Sequence, residues 1–306
     1  MVRHTDRRGC MRTTIGRIIE RALAAAILMA TGAAMGGPVH AAASETVSSV
    51  ISTDRAQVTL ISDQTAIHAG STFWVGLRIK LAPGWHTYWR NPGDAGNPAK
   101  IDWDLPQGLV AGTIRWPQPE RIPSGPLMSF GYHDSVVLLT RMSAFELPPG
   151  TETVEIRARA SWLVCAEICV PEGGDLALSM PASAGTAPGK ADEASEIEDF
   201  AKRLPGPTLT EGAFRISGGR FELSISIPST DSARFEDVWF FPGEYGVVEH
   251  AAPQTWTPDA GVLNISLTPG ESPVSPNDAL EGLLAVRYED GSEASWGITA
   301  TQLPEN

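Results

Sequence analysis

The sequence predicts an all-β protein made of two β-sandwiches joined by a short helical linker. Apolar and polar residues alternate along several segments, as in residues 154–162, and a period of two is typical of a strand with one buried face. The 306 residues include 30 Gly and 24 Pro, which favour short strands and many turns over long helices. This length allows two ordinary domains, and the spacing of the alternating segments fits sandwiches of immunoglobulin-like size.

The charge balance argues against a nucleic-acid-binding protein. Lys and Arg number 23 against 36 Asp and Glu, which gives a formal net charge of −13. Binding a phosphate backbone needs a clustered positive surface, and an excess of acidic residues does not favour one. We therefore expect no nucleic acid among the partners.

Residues 1–43 have the organisation of a secretory signal peptide. Arginines dominate the start, an apolar stretch begins at Ala22, and small residues follow at Ala41, Ala42 and Ala43. A retained membrane anchor is the alternative, but Gly and Pro residues interrupt the apolar stretch and leave it short. We expect cleavage near Ala41 to Ala43 and a periplasmic protein, residues 44–306.

The first sandwich is predicted over residues 44–182. Its clearest strands run through residues 73–81 and 154–162, and the second of these leads directly into Cys165. The segment 90–98 between them is rich in Pro, Gly and Asn, which is typical of a loop.

A linker is predicted over residues 183–207, and the second sandwich over residues 208–306. The linker contains apolar residues at helical spacing, which are Ala194, Ile197, Phe200, Ala201 and Leu204. Pro205 follows and ends the predicted helix. In the second sandwich, apolar segments on both sides of Asp290 and Gly291 predict a β-hairpin.

Cys165 and Cys169 remain after the predicted cleavage, and an exported protein meets conditions that favour disulfides. Four steps of extended chain would place their Cα atoms roughly 13 Å apart, whereas a disulfide needs about 7 Å or less. If the two pair, the chain must reverse at residues 166–168, as in a tight hairpin loop. Alternation along the preceding strand would then direct the Cys165 sulfur away from the sandwich core.

Spacing alone leaves two interpretations of this pair open. A structural surface disulfide is the common use of cysteines in exported proteins, although a ring this small does little to constrain the unfolded chain. A redox-active disulfide is the other interpretation, and it needs sulfurs that are partly accessible under an apolar cover. Val164, Ile168 and Val170 would supply such a cover.

Three segments together resemble a known family. Residues 162–174 read WLVCAEICVPEGG, residues 84–98 read GWHTYWRNPGDAGNP, and residues 115–123 read RWPQPERIP. Over about residues 50–182 the chain resembles the N-terminal periplasmic domain of the DsbD and ScsB thiol:disulfide interchange proteins, and is most like the ScsB branch. The second half matches only in general character.

The resemblance implies an immunoglobulin-like sandwich in which Cys165 and Cys169 form the redox pair. It also implies a cap loop over the disulfide, with Phe130 and Tyr132 as the candidate cap residues. Ordinary packing at a strand edge is the alternative for these two aromatic residues. Met128 and the serine after it replace the acidic residues that precede the cap aromatic in DsbD, so their influence on the thiol pKa is not carried over.

The family also implies the partners. In it, the domain takes electrons from a membrane-embedded thiol:disulfide reductase and passes them to periplasmic acceptors. The 306 residues include neither a polytopic membrane domain nor a Cys-x-x-Cys motif, so we expect a separate reductase of the DsbD, ScsB or CcdA-like type and thioredoxin-like acceptors. Thiol–disulfide exchange requires no cofactor, and none is expected.

Two other classes of function remain open at this stage. The two thiols, with Met128, Met142 and His133 nearby, would bind Cu(I), which prefers soft sulfur ligands. A redox-silent β-sandwich binding module is the other class. The remaining histidines of the mature chain show no metal-site spacing and are expected at the surface or in ordinary packing; they are His68, His86 and His250.

Overall fold

The structure is a computed structural model that describes residues 46–183, 188–227, 235–272, 274 and 279–304. Nearly all regular structure in these ranges is β-strand, accompanied by one α-helix, so the all-β prediction is confirmed. Within the same ranges, no helix is long and apolar enough to cross a membrane. The predicted signal peptide, residues 1–43, lies outside the described residues.

Two sheets make up the first half. In chain order its strands are β1 (Val47–Ser48), β2 (Val50–Ser52), β3 (Ala56–Ser62), β4 (Thr72–Leu81), β5 (His86–Gly93), β6 (Lys100–Asp104), β7 (Leu109–Arg115), β8 (Glu120–Ser124), β9 (Leu127–His133), β10 (Ser135–Ala144), β11 (Thr153–Cys165) and β12 (Cys169–Pro181). One sheet has the order β1-β12-β11-β5-β9-β8, with β6 also paired to β11. The other sheet has the order β2-β3-β4-β10-β7.

Alternation of apolar side chains explains why these two sheets pack face to face. Val75 and Leu77 of β4 are fully buried, and so is Ile156 of β11. Residues between the buried positions of β11, such as Glu155 and Arg157, are exposed. Because β4 and β11 lie in different sheets and their buried side chains share one hydrophobic cluster, the core lies between the sheets.

The second half contains one helix and one sheet. Its elements are α1 (Ala194–Lys202), β13 (Gly206–Ser217), β14 (Arg220–Ser226), β15 (Phe235–Pro242), β16 (Thr255–Asp259), β17 (Val262–Leu267), β18 (Leu280–Tyr288) and β19 (Glu293–Gln302). The sheet order is β15-β18-β19-β13-β14-β17-β16, and only the β13–β19 pair among these strands is parallel. The predicted hairpin around Asp290 and Gly291 is the β18–β19 pair.

This second sheet curls until its two edge strands meet. Gln254, just before β16, donates a hydrogen bond to the Phe240 carbonyl and accepts one from the Phe240 amide, both at 2.9 Å. The rings of Phe235 and Trp256 lie 6.1 Å apart across the same seam. The curl encloses a separate hydrophobic cluster and gives the sandwich-like arrangement from one continuous sheet rather than from two.

The helix and part of the second sheet pack on the first sandwich. Ile197 and Phe200 of α1 belong to the core cluster of the first half, and Glu196 pairs with Arg78 of β4 at 3.0 Å. Trp239 and Phe241 of β15 belong to that cluster as well. The division into domains at residues 44–182, 183–207 and 208–306 stays a prediction, because side chains of both halves share this core.

Candidate functional site

The two cysteines form a disulfide at the tip of a long hairpin. β11 and β12 pair along their whole length, and the last pair in the register is Cys165 with Cys169. The chain reverses at residues 166–168, where the Ala166 amide donates to the Ile168 carbonyl at 3.1 Å. The reversal leaves the cysteine Cα atoms 4.1 Å apart, which is below the upper limit of about 7 Å for a disulfide.

The two cysteines differ sharply in their exposure to solvent. Cys165 is only 2% exposed, whereas Cys169 is an exposed residue and the neighbouring Ile168 is 67% exposed. Val164 belongs to the core cluster and Cys165 does not, so Cys165 is directed to the outer face of its sheet as the alternation predicts. Of the two cysteines, Cys169 is the one exposed at the surface.

Two histidines continue the row of cysteines across the sheet. Cys165 lies opposite His86 of β5, and His86 lies opposite His133 of β9. Directly opposite residues of antiparallel strands direct their side chains to the same face, so the four side chains of the row share it. The His86 and His133 rings are 5.7 Å apart, and Nδ1 of His133 lies 3.0 Å from Oε2 of Glu120.

The aromatic residue that contacts the disulfide is Tyr88. It follows His86 by two positions and therefore lies on the same face of β5. Its hydroxyl oxygen is 3.6 Å from Sγ of Cys169 and 3.3 Å from Nε2 of His86. The side chain is almost fully buried, and this burial raises the pKa of the Tyr88 hydroxyl.

The loop after β5 covers the Tyr88 ring. Gly96 has a φ of +110°, and a Cβ atom at this position would lie 2.2 Å from Cε1 of Tyr88. Only glycine allows so close an approach with this backbone conformation. The ring is therefore held between the sheet and the loop.

Contacts with β9 and with the second half hold the end of β5 and the start of this loop. Oδ2 of Asp94 accepts a hydrogen bond from the Met128 amide at 2.7 Å, and Oδ1 lies 2.8 Å from Nδ1 of the buried His250. The Asn91 side-chain amide donates to the carbonyls of Pro242 at 2.9 Å and Glu244 at 3.1 Å. The loop thus connects the disulfide environment to the second half.

Phe130 and Tyr132, the residues expected to form the cap, are placed in the core instead. Tyr132 lies opposite Thr87, and it precedes His133 by one position on β9. Because successive side chains of a strand alternate in direction, Tyr132 points to the face opposite the row of cysteines and histidines. Its hydroxyl donates to the Pro117 carbonyl at 2.8 Å. The Phe130 ring packs 5.0 Å from the ring of Phe241. The aromatic residue in contact with the disulfide is instead Tyr88, which the sequence did not single out.

The residues considered for copper do not converge on the disulfide. Met142 is fully buried on β10, in the opposite sheet, and Met128 packs against the core of the first half. His133 lies in the row described above but pairs with Glu120. Across the described residues, no group of three or more His, Cys, Asp or Glu side chains is placed to hold a metal ion.

Comparisons with known proteins agree with this geometry. Residues 57–181 match the family described as thiol:disulfide interchange protein DsbD, N-terminal. The crystal structure of the N-terminal periplasmic domain of ScsB from Proteus mirabilis has a TM-score of 0.57 and 16% sequence identity, covering 83% of this chain and 98% of that chain. The periplasmic chaperone SfaE gives a TM-score of only 0.20 at 8% identity, covering 80% of this chain and 100% of that chain, which is too low to indicate a shared fold.

No curated protein matches the sequence at a significant level. The similarity in fold to the ScsB domain covers more of the chain than residues 57–181, so it includes part of the second half. Over residues 57–181 the chain carries a domain of the DsbD N-terminal family of thiol:disulfide interchange proteins, in a fold similar to that of the N-terminal periplasmic domain of ScsB.

Proposed function

We propose that this protein performs thiol–disulfide exchange in the periplasm through its Cys165–Cys169 disulfide. It receives electrons from a membrane-embedded thiol:disulfide reductase and passes them to thioredoxin-like acceptors. The observation that carries the proposal is the pairing of an exposed residue, Cys169, with a buried one, Cys165, on the outer face of the sheet. One sulfur is open to attack, and the other is held as the leaving and resolving group.

The exchange follows from this arrangement in two steps. A thiolate of the reductase attacks Sγ of Cys169, the bond between the two cysteines breaks, and Cys165 leaves as a thiolate. A second thiolate of the reductase then attacks the reductase sulfur that is bonded to Cys169 in the mixed disulfide, and Cys169 is released. Two electrons and two protons reach the protein, and the reverse sequence passes them to the disulfide of an acceptor.

A purely structural role fits this disulfide less well. A crosslink stabilises mainly by closing a long loop in the unfolded chain, and only three residues separate Cys165 from Cys169. The two strands are already paired up to the cysteines by backbone hydrogen bonds. Removing the crosslink would therefore cost the fold little.

Export to the periplasm is part of the same proposal. Residues 1–43 have the sequence of a signal peptide, and the similar ScsB domain is described as periplasmic. Delivery of electrons to an acceptor itself returns the pair to the disulfide form. An oxidising compartment keeps the pair in that form until the reductase reduces it again. Mass determination of the exported protein would test the predicted cleavage near Ala41 to Ala43.

Single-cysteine variants of the full chain test the proposed exchange in cells. Cys165→Ser keeps the exposed thiol but removes the resolving group, so a mixed disulfide with a partner should accumulate. Cys169→Ser keeps only the buried thiol, and we expect it to trap at least about tenfold less. Non-reducing gels followed by mass spectrometry of the trapped band would measure both and identify the partner.

The double variant Cys165→Ser/Cys169→Ser is the matched control and should trap nothing. If neither single variant traps a partner and the reduction potential of the wild-type disulfide lies well below about −300 mV, the disulfide is a structural crosslink. That result would reject the exchange function and favour a redox-silent binding module.

A further inference from the structure

We propose that Tyr88 and His86 form a proton relay for Cys169, in which His86 takes up the thiol proton through the Tyr88 hydroxyl when the reduced protein attacks an acceptor disulfide. This inference rests on the proposed exchange function and adds to it the group that activates the nucleophile. Tyr88 touches the reacting sulfur, and His86 positions the Tyr88 hydroxyl and accepts the proton from it.

The geometry of three groups carries the relay. Sγ of Cys169 lies 3.6 Å from the Tyr88 hydroxyl oxygen, within the range of a hydrogen bond to sulfur. The same oxygen lies 3.3 Å from Nε2 of His86. One hydroxyl therefore contacts both a reactive sulfur and an imidazole nitrogen, and it can accept from the first while it donates to the second.

The surrounding structure holds these groups in place when the disulfide opens. The Cys169 backbone is fixed by its pairing with Cys165 in the β-ladder, and β5 pairs with β11 opposite Cys165. The Tyr88 ring is confined by Gly96 of the covering loop. Reduction thus separates two sulfurs without requiring the relay to move.

The chemical step balances as follows. In the reduced protein the Cys169 thiol donates to the Tyr88 oxygen, and the Tyr88 hydroxyl donates to Nε2 of a His86 that carries its own proton on Nδ1. As the Cys169 sulfur attacks the acceptor, the disulfide of the acceptor breaks and its second sulfur leaves as a thiolate. One proton moves along the relay, and His86 becomes an imidazolium that later returns the proton to solvent.

Electrostatics favour the protonation states that this relay needs. Burial, and then the nearby charge of His133, lower the pKa of His86, so that the imidazole is neutral and able to accept a proton near neutral pH. Burial raises the pKa of Tyr88, so that its hydroxyl keeps its proton for donation. The lowered pKa of His86 suits a proton acceptor, and the raised pKa of Tyr88 suits a hydroxyl that donates to it.

The titratable groups around His86 come from each neighbouring strand. Tyr88 lies on the same strand, the disulfide lies on the β11–β12 hairpin, and His133 lies on β9. Glu120 of β8 reaches His133 at 3.0 Å. His133 is therefore the neighbouring residue whose removal should change the pH at which His86 acts.

Stopped-flow kinetics of the reduced full-length protein with 5,5′-dithiobis(2-nitrobenzoate) test the relay. At pH 6.5–7.5, His86→Gln should lower the second-order rate constant at least about tenfold, the lower part of the range for acid–base catalysis. Above about pH 9.5 the difference should disappear, because the Cys169 thiol then ionises without help. A merely structural role would lower the rate by the same factor at every pH.

Four further variants make the result decisive. Tyr88→Phe should give the same loss, and adding His86→Gln to it should cause no further loss, because both break one relay. His133→Gln should move the rise in rate to higher pH, and the remote His68→Gln should match wild type. A rate constant for His86→Gln within about twofold of wild type at pH 7 would overturn the relay. So would a double variant whose loss in rate equals the product of the two single losses, because the two residues would then act independently. The trapping by Cys165→Ser would still stand in that case.

Discussion

Replacement of Phe241 by alanine is expected to lower the free energy of unfolding by about 3–5 kcal/mol, the usual cost of removing a buried phenylalanine side chain. Phe241 is only 3% exposed and belongs to the core of the first sandwich although it lies on β15 of the second half. Its ring centre is 5.0 Å from that of Phe130 and 6.0 Å from that of Trp89. The cavity would open between the two halves, beside Phe130 and Trp89.

Urea denaturation of the two purified proteins would measure this loss. Phe145→Ala is the matched control, because that ring is 70% exposed and its removal should change the free energy of unfolding by no more than about 0.5 kcal/mol. A loss below about 1 kcal/mol for Phe241→Ala would mean that the halves fold as independent domains. The expected loss would instead mean that the second half is part of the stable core around the site.

The sequence sufficed for the local part of this structure. Alternation of apolar residues identified β4 and β11 because a strand with one buried face has a period of two. The tight reversal between Cys165 and Cys169 followed from chain geometry on the condition that the two cysteines pair, since four steps of chain leave few ways to bring them together. In both cases the interactions that decide the structure lie within one segment.

The neighbours of the disulfide could not be predicted in this way. His86 and Cys165 lie opposite each other only because of the register between β5 and β11, whose residues are far apart in sequence. Tyr88 and Cys169 are 81 positions apart, and Asp94 and His250 are 156 positions apart. Such contacts depend on tertiary packing, which a single sequence does not specify segment by segment.

The placement of Phe130 and Tyr132 shows the same limit for a family resemblance. The resemblance placed the cap aromatic on β9, whereas the aromatic residue that contacts the disulfide lies on β5. Because Tyr132 lies opposite Thr87, Tyr132 and Phe130 face the core, and the side chain of His133 lies on the outer face beside His86. His86 and Tyr88 both lie in the family-like segment 84–98, but nothing in that segment indicated which of its side chains would face the cysteines.

Replacement of Gly96 by alanine should both destabilise the protein and uncover its disulfide. The φ of +110° is strained for any residue with a side chain, and the added Cβ would meet the Tyr88 ring at 2.2 Å. Strain and overpacking together should lower the free energy of unfolding by about 2–4 kcal/mol. Because the ring or the loop must move, reduction of the disulfide by dithiothreitol should become several-fold faster.

Gly70→Ala separates these two causes. Gly70 has a φ of +81°, but nothing lies within 4 Å of its added Cβ, so this variant carries backbone strain without a clash. We expect it to cost about 1–2 kcal/mol and to leave the rate of disulfide reduction unchanged. If Gly96→Ala costs no more than this and reacts with dithiothreitol at the wild-type rate, the loop does not hold Tyr88 over the disulfide. If Gly96→Ala reacts faster with dithiothreitol than Gly70→Ala, which carries backbone strain alone, the contact between the loop and the Tyr88 ring controls access to Cys169.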